Sequence, residues 1–267
     1  MFYSGRYWWL LLFPLALPVL AFAGPPDTGF LDRSVNVGGL SYRFQVYVPQ
    51  SWNKSEKWPI VLFLHGYGES GEDGLRQTEV GIGRAIRLHA DRFRKVIVVM
   101  PQCRKGHLWT EPEQQAQALS ALESATREFN GDREHTYLTG LSMGGYGTWD
   151  IAIRNPKRFA ALVVVCGGIR GTEHLPQMRS SVLDGPKVED PYAEVARRIG
   201  KVPVWIFHGS EDPAVPVEES RRMVAAMKTA DGVVRYTEYA GVGHDSWNPA
   251  YEEPELMPWL LAQSLGR

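Results

Sequence analysis

From about residue 58 onward, near-continuous apolar runs alternate with helix-forming segments, and this alternation limits the folds open to the chain. The runs are "PIVLFLHG" (Pro59–Gly66), "KVIVVMPQC" (Lys95–Cys103), "HTYLTG" (His135–Gly140), "AALVVVCGG" (Ala160–Gly168) and "VPVWIFHGSEDPAV" (Val202–Val215). A strand with one wet face alternates polar and apolar residues, whereas these runs suit strands covered on both faces. Between them lie helical patterns such as "PEQQAQALSALESATREF" (Pro112–Phe129) and "PVEESRRMVAAMKTA" (Pro216–Ala230), and "PELMPWLLAQSLG" closes the chain. An earlier strand is expected at "YRFQVYVPQ" (Tyr42–Gln50), another at "VVRYTEYAG" (Val233–Gly241), and a weaker helix at "TEVGIGRAIRLHADRF" (Thr78–Phe93). Alternating strand and helix predicts an α/β fold, with a mostly parallel central sheet flanked by helices on both faces. The stretch Ile169–Arg198 lacks a clean strand and is expected to form loop or short helices over the sheet.

The third of these runs leads into "YLTGLSMGGYGTW" (Tyr137–Trp149), which contains Gly140-Leu141-Ser142-Met143-Gly144. A G-x-S-x-G pattern between a strand and a helix puts serine on a sharp, strained turn. The flanking glycines avoid collision with neighbouring backbone, and the helix start offers free N–H groups. Ser142 is therefore the candidate nucleophile.

A serine hydroxyl needs a base. Serine hydrolases with this strand–turn–helix elbow on a mostly parallel sheet place nucleophile, acid and base in that chain order, each just beyond a strand. His244, in "AGVGHDSW", follows the last strand, and Asp212 follows the strand before it. Asp212 would fix the tautomer of the His244 ring and stabilise its imidazolium. Glu211 competes with Asp212 for the acid role, while Asp245 is too close in sequence to His244 to orient its ring. An oxyanion also needs two N–H donors. Met143 is one, and Tyr67, after the His65-Gly66 strand end, is the other. Trp109 and Trp247, aromatics in loops, are the candidate substrate contacts.

Formal net charge is -1 over 267 residues, and no Lys/Arg cluster maps a phosphate path, so nucleic acid is not an expected partner. Residues 1–23 read as a signal peptide. Arg6 precedes the uncharged Tyr7–Phe22 stretch, which ends in Ala21-Phe22-Ala23, and a single catalytic domain over 24–267 is expected to be secreted or periplasmic. Cys103 and Cys166 each follow a strand, and the sequence leaves open whether they pair or stay as buried thiols. No Cys/His spacing suggests zinc, and no metal or organic cofactor is expected.

Three segments resemble the α/β-hydrolase superfamily: "LFLHGYGESGEDG", "YLTGLSMGGYGTWDIAIRNPKRFAALVVVCGG" and "VPVWIFHGSEDPAVPVEESRRMVAAMK", the last continuing to "GVGHDSWNPAYEEPELMPWLL". Within it the chain is similar to secreted esterases and proteins classed as peptidases that are related to polyhydroxybutyrate depolymerases and feruloyl esterases. The resemblance implies a triad of Ser142, Asp212 and His244. It also sets Pro101-Gln102-Cys103 with Trp109 beside the pocket. It implies a serine carboxylesterase acting on short acyl or aryl esters, among them feruloyl or acetyl esters attached to polysaccharide. A serine peptidase acting on small peptides and a catalytically inactive secreted binding protein are the alternatives. A lipase would need an apolar lid, for which only Ile169–Arg198 is available.

Overall fold

The computed structural model describes residues 1–2, 27–185 and 188–266. Almost all of the expected signal peptide lies outside the described residues. Among the described residues no helix is long and apolar enough to cross a membrane.

Eight strands form one sheet: β1 (Gly29–Val37), β2 (Leu40–Val48), β3 (Trp58–Leu64), β4 (Ile97–Pro101), β5 (Gly131–Leu141), β6 (Ala161–Val165), β7 (Val204–Gly209) and β8 (Val234–Tyr239). Their spatial order is β1-β2-β4-β3-β5-β6-β7-β8. β1 and β2 form an antiparallel hairpin, β2 runs antiparallel to β4, and every pairing from β4 to β8 is parallel. This is the mostly parallel, helix-covered sheet expected from the runs, and it has α/β-hydrolase architecture. The antiparallel hairpin at one edge extends it.

Among the described residues seven helices connect and cover the strands: α1 (Gly81–Leu88), α2 (Pro112–Glu128), α3 (Met143–Arg154), α4 (Pro191–Ile199), α5 (Glu218–Thr229), α6 (Trp247–Glu252) and α7 (Leu256–Leu261). Successive strand residues point to opposite faces, so each central strand supplies two cores. Ile60, Leu62 and Leu64 of β3 belong to one core that also takes in Leu122, Trp149, Val195 and Met223 from α2 to α5. Val61 and Phe63 pack with Ile82, Tyr251 and Leu260 from α1, α6 and α7. Burial on both faces explains why these strands read as unbroken apolar runs.

The parallel strands send their C-terminal ends to one edge, where His65, Gln102, Ser142, Cys166 and Asp212 follow β3, β4, β5, β6 and β7. Cys103 and Cys166 both sit near that edge as buried free thiols. β3 and β5 separate their parent strands β4 and β6. Three strand spacings of about 4.8 Å put the two strand ends about 14 Å apart, well beyond the roughly 7 Å Cα limit for a disulfide.

The Ile169–Arg198 stretch holds a tight helical turn at Ser181–Leu183 and α4. Its first part is pinned to the helix that follows the nucleophile. Fully buried Asp150 of α3 accepts the Ser181 N–H at 2.7 Å and the Ser180 hydroxyl at 3.2 Å on one oxygen. Its other oxygen accepts Gln115 Nε2 at 2.7 Å and Arg154 Nε at 3.0 Å. Ser180 N–H donates to the Ile169 carbonyl. Asp150→Ala strips an acceptor from several buried donors. It is expected to cost about 2–4 kcal/mol, measured as a lower urea midpoint at unchanged m-value. An unchanged midpoint would show that the anchor contributes nothing.

Candidate active site

The nucleophile turn follows from close packing at its two glycines. A Cβ on Gly140 would lie 2.2 Å from the Gly144 carbonyl oxygen, and one on Gly144 would lie 2.0 Å from that of Leu64. With strand and helix this close, Ser142 between them takes φ 50° and ψ -116°. Such left-handed backbone at a non-glycine residue costs on the order of 1–3 kcal/mol. The Ser142 N–H donates to the Val165 carbonyl of β6 at 2.9 Å, and its own carbonyl accepts from Gly145 and Tyr146.

Ser142 Oγ lies 2.9 Å from His244 Nε2, and His244 Nδ1 lies 2.7 Å from Asp212 Oδ2. The Asp212 carboxylate only accepts, so Nδ1 carries the proton and Nε2 is left to accept from the serine hydroxyl. The Asp212 side chain is fully buried, whereas that of His244 is a quarter exposed. Oδ1 of Asp212 accepts the N–H groups of Ala214 and Val215, each at 2.9 Å. Oδ2 also faces His208 Nε2 at 3.2 Å. Burial opposes the charge of Asp212, but hydrogen bonds from His208, His244 and Val215 outweigh it and hold the carboxyl well below the usual carboxylate range. Glu211 is exposed, and its backbone N–H is tied to Val242, so the acid facing His244 is Asp212. Buried His208 supports that acid. Its Nε2 also meets the Val215 carbonyl at 3.0 Å, while Nδ1 lies 2.7 Å from Ser220 Oγ.

Met143 is the first residue of α3, and Tyr67 is the first of a single helical turn, Tyr67–Glu69, after β3. Backbone N–H groups at such positions have no intrahelical acceptor. The two turns are neighbours, since a Cβ on Gly66 would lie 3.8 Å from Ser142 Cβ and 2.9 Å from Leu141 Cδ1. His65 braces the β3 end. Its Nδ1 lies 2.6 Å from the Gly66 carbonyl, Nε2 accepts the Cys103 N–H at 2.9 Å, and its carbonyl accepts Trp109 Nε1 at 3.0 Å.

Trp247, at the start of α6, is half-buried and sits edge-on to His244, with ring centroids 5.2 Å apart. Trp109 departs from expectation. It is fully buried, sits edge-on to His65, and packs so tightly on α3 that a Cβ on Gly147 would lie 2.4 Å from Trp109 Cβ. A residue so enclosed braces the end of β3 and offers no face to substrate. Its indole N–H is already spent on His65, which corrects the substrate-contact reading.

Beneath the triad lies Cys166, at φ 40°. Burial, with the Asp212 charge adding, pushes its thiol far above the ordinary range, so it is a neutral filler rather than a nucleophile. Donor atoms of Cys166, Asp212 and His244 lie within 4.8 Å of one another, the one such group of possible metal ligands among the described residues. Each oxygen of Asp212 already faces two protein donors, so the donor set fits a triad better than a cation.

A parallel sheet with this elbow and this hydrogen-bonded series at its edge defines a serine hydrolase of the α/β-hydrolase fold. The chain belongs to the prolyl oligopeptidase family, whose model matches residues 107–262. It is similar to a solved thermostable esterase, with 32% identity and a TM-score of 0.72 over 88% of this chain and 63% of that one. It is also similar to a candidate esterase, NocK of Nocardia uniformis subsp. tsuyamanensis, with 25% identity over 72% of this chain and 51% of that protein. A third relative is the endo-1,4-beta-xylanase/feruloyl esterase of Xylanibacter ruminicola, with 23% identity over 82% of this chain and 28% of that protein. The chain thus spans about half or less of the length of these two relatives.

Burial lowers the pKa of the His65 ring from 6.5 to about 4, against the Gly66 hydrogen bond, which raises it. Between those values the unfolded chain binds a proton that the folded protein refuses. Stability is therefore highest above about pH 6.5 and falls as pH drops toward 4, by about 3 kcal/mol from this group. Asp212 acts lower. Its depressed pKa stabilises the fold above about pH 4, and that contribution is lost only as pH falls further. The stability gap between wild type and His65→Gln should shrink by up to about 3 kcal/mol between pH 7 and pH 4 in guanidinium titrations. A gap independent of pH would contradict the assignment.

Proposed function

We propose that the chain is a serine carboxylesterase that hydrolyses short acyl or aryl esters through an acyl-enzyme on Ser142. The observation that carries this reading is the unbroken series from Asp212 through His244 to the Ser142 hydroxyl, with both hydrogen bonds under 3 Å. His244 Nε2 takes the hydroxyl proton as Ser142 Oγ attacks the ester carbonyl, and Asp212 stabilises the resulting imidazolium. The N–H groups of Tyr67 and Met143 hold the developing oxyanion. His244 then protonates the leaving alcohol, and the same ring activates the water that releases the acid.

Trp247 supplies the aromatic face beside the catalytic ring, which favours aryl or unsaturated acyl groups. The similarity to a xylanase/feruloyl esterase supports feruloyl esters on polysaccharide as substrates, and acetyl esters rest on the sequence resemblance alone. Attack on polyhydroxybutyrate rests on the sequence resemblance alone. The family match favours one second reading, a serine peptidase acting on small peptides. The uncharged, apolar stretch Tyr7–Phe22 after Arg6, read as a signal peptide, supports action outside the cytoplasm.

Initial rates on p-nitrophenyl acetate, butyrate and octanoate, methyl ferulate and an aminoacyl p-nitroanilide separate the readings. Ester turnover is expected to exceed anilide turnover, and Ser142→Ala should reduce it by about 10⁴-fold or more. Anilide-only turnover would establish the peptidase instead. Trp247→Ala should raise KM for methyl ferulate more than for p-nitrophenyl acetate; equal effects would remove Trp247 from the substrate site.

A further inference from the structure

The turn that presents the Tyr67 N–H belongs to a loop of residues 66–75, and this loop is held by one side chain that the mechanism above does not use. Gln102 follows β4 and is almost wholly buried. Its Oε1 accepts the Gly74 N–H at 2.7 Å. Its Nε2 donates to the Glu69 carbonyl at 3.0 Å and to Asp73 Oδ1 at 3.2 Å. The amide orientation is fixed by these partners, because a backbone N–H only donates while a carbonyl and a carboxylate only accept. Both Nε2 hydrogens and the Oε1 acceptor are thus committed to the two halves of one loop. Glu69 is the last residue of the tight turn that Tyr67 begins.

The surroundings leave the carboxamide little room to move. A Cβ on Gly71 would lie 2.9 Å from Gln102 Nε2. The Gly71 N–H donates to the Cys103 carbonyl at 2.9 Å, and Gln117 Nε2 of α2 donates to the Gln102 carbonyl at 3.2 Å. Gln45 of β2 holds the Gly74 carbonyl from the other side at 2.9 Å. Asp73, once oriented, accepts the N–H groups of Leu75 and Arg76, which closes the loop. A buried amide satisfied only by loop backbone and one carboxylate has a single well-defined geometry. Its loss would leave the Gly74 N–H and the Glu69 carbonyl without the partner it supplies and would take one of three donors from Asp73 Oδ1.

We propose that Gln102 is a positioning residue for the oxyanion hole: through Glu69, Asp73 and Gly74 it fixes where the Tyr67 N–H points. The inference rests on the assignment of Tyr67 as an oxyanion donor. Because the N–H contributes only as charge develops on the carbonyl oxygen, a loosened loop should slow the chemical step and leave ground-state binding almost unchanged.

The test uses Gln102→Met and Gln102→Glu. The first keeps length without polar atoms. The second keeps an acceptor for Gly74 but sets a carboxylate against Asp73. Active sites are counted by covalent titration, so that partial misfolding does not enter kcat. Both variants should lose about 10–100-fold in kcat on p-nitrophenyl butyrate with KM within about twofold. Their affinity for an aryl trifluoromethyl ketone should fall in step. Ser142 Oγ adds to that ketone's carbonyl carbon, the hydroxyl proton passes to His244, and the oxygen becomes an anion in the hole.

Tyr67→Pro tests the premise directly. Proline deletes the N–H and is tolerated at the first position of a helical turn, and Gly66 before it is already extended at ψ 178°. It should lose about 100-fold in kcat, and adding Gln102→Met to it should cost little more. If Tyr67→Pro keeps wild-type kcat, the Tyr67 assignment and the Gln102 inference both fall. If Tyr67→Pro is crippled while the Gln102 variants keep kcat and ketone affinity per active site, only the Gln102 inference is overturned. Losses that multiply in the double variant would overturn it as well.

Discussion

The left-handed backbone at Ser142 is the constraint on which the rest of the site depends. It arises because β5 and α3 meet with no space for a side chain at Gly140 or Gly144. The resulting turn lifts the serine hydroxyl clear of the sheet edge and starts α3 with Met143, whose N–H has no helical acceptor. One local strain thus aims the Ser142 hydroxyl and leaves the Met143 N–H free, as the proposed roles of nucleophile and oxyanion donor require. It is held by the Val165 carbonyl on one side and the tightly packed Leu64 carbonyl on the other, so β3 and β6 both enforce it.

The parallel sheet supplies the remaining geometry. Strand ends converge on one edge, so residues far apart in the chain meet without long loops. Asp212 illustrates the electrostatic side. A buried carboxylate is costly unless its oxygens are satisfied, and here Ala214, Val215, His208 and His244 all face it. The acid is therefore charged and immobile before substrate arrives, and His244 is held in the tautomer that can accept a proton. The loop proposed to hold the oxyanion is arranged alike. At the ends of β3 and β4, His65 Nδ1 meets the Gly66 carbonyl, the Cys103 carbonyl accepts the Gly71 N–H, and Gln102 holds Glu69 and Gly74, all in the loop that carries Tyr67.

The central strands were legible because burial on both faces leaves continuous apolar runs, and the serine turn because its glycines have no substitute. β1 escaped notice for the opposite reason: "GFLDRSVNV" is an edge strand with no fully buried residue, and its polar alternation hides it. α6 is six residues long, contains Pro249, and carries no helical signal. Trp109 misled because loop aromatics often face ligands. Its burial depends on Gly147 of α3 passing close by, a long-range fact absent from local pattern. Gln102 was marked in the sequence only by the resemblance, as part of Pro101-Gln102-Cys103 beside the pocket, and by its place directly after a buried strand. Its partners come from a loop some thirty residues earlier, and spacing cannot show which way a carboxamide faces.

The most direct measurement is mass spectrometry of the full chain after reaction with a fluorophosphonate, followed by peptide mapping. Such reagents phosphonylate a serine only where a base and an oxyanion hole activate it. The account predicts one adduct per chain on the peptide containing Ser142. It should form more slowly in the presence of a competing aryl ester and be abolished by His244→Ala. No adduct on active, folded protein, or an adduct on a different residue, would contradict the assignment of Ser142 as the nucleophile.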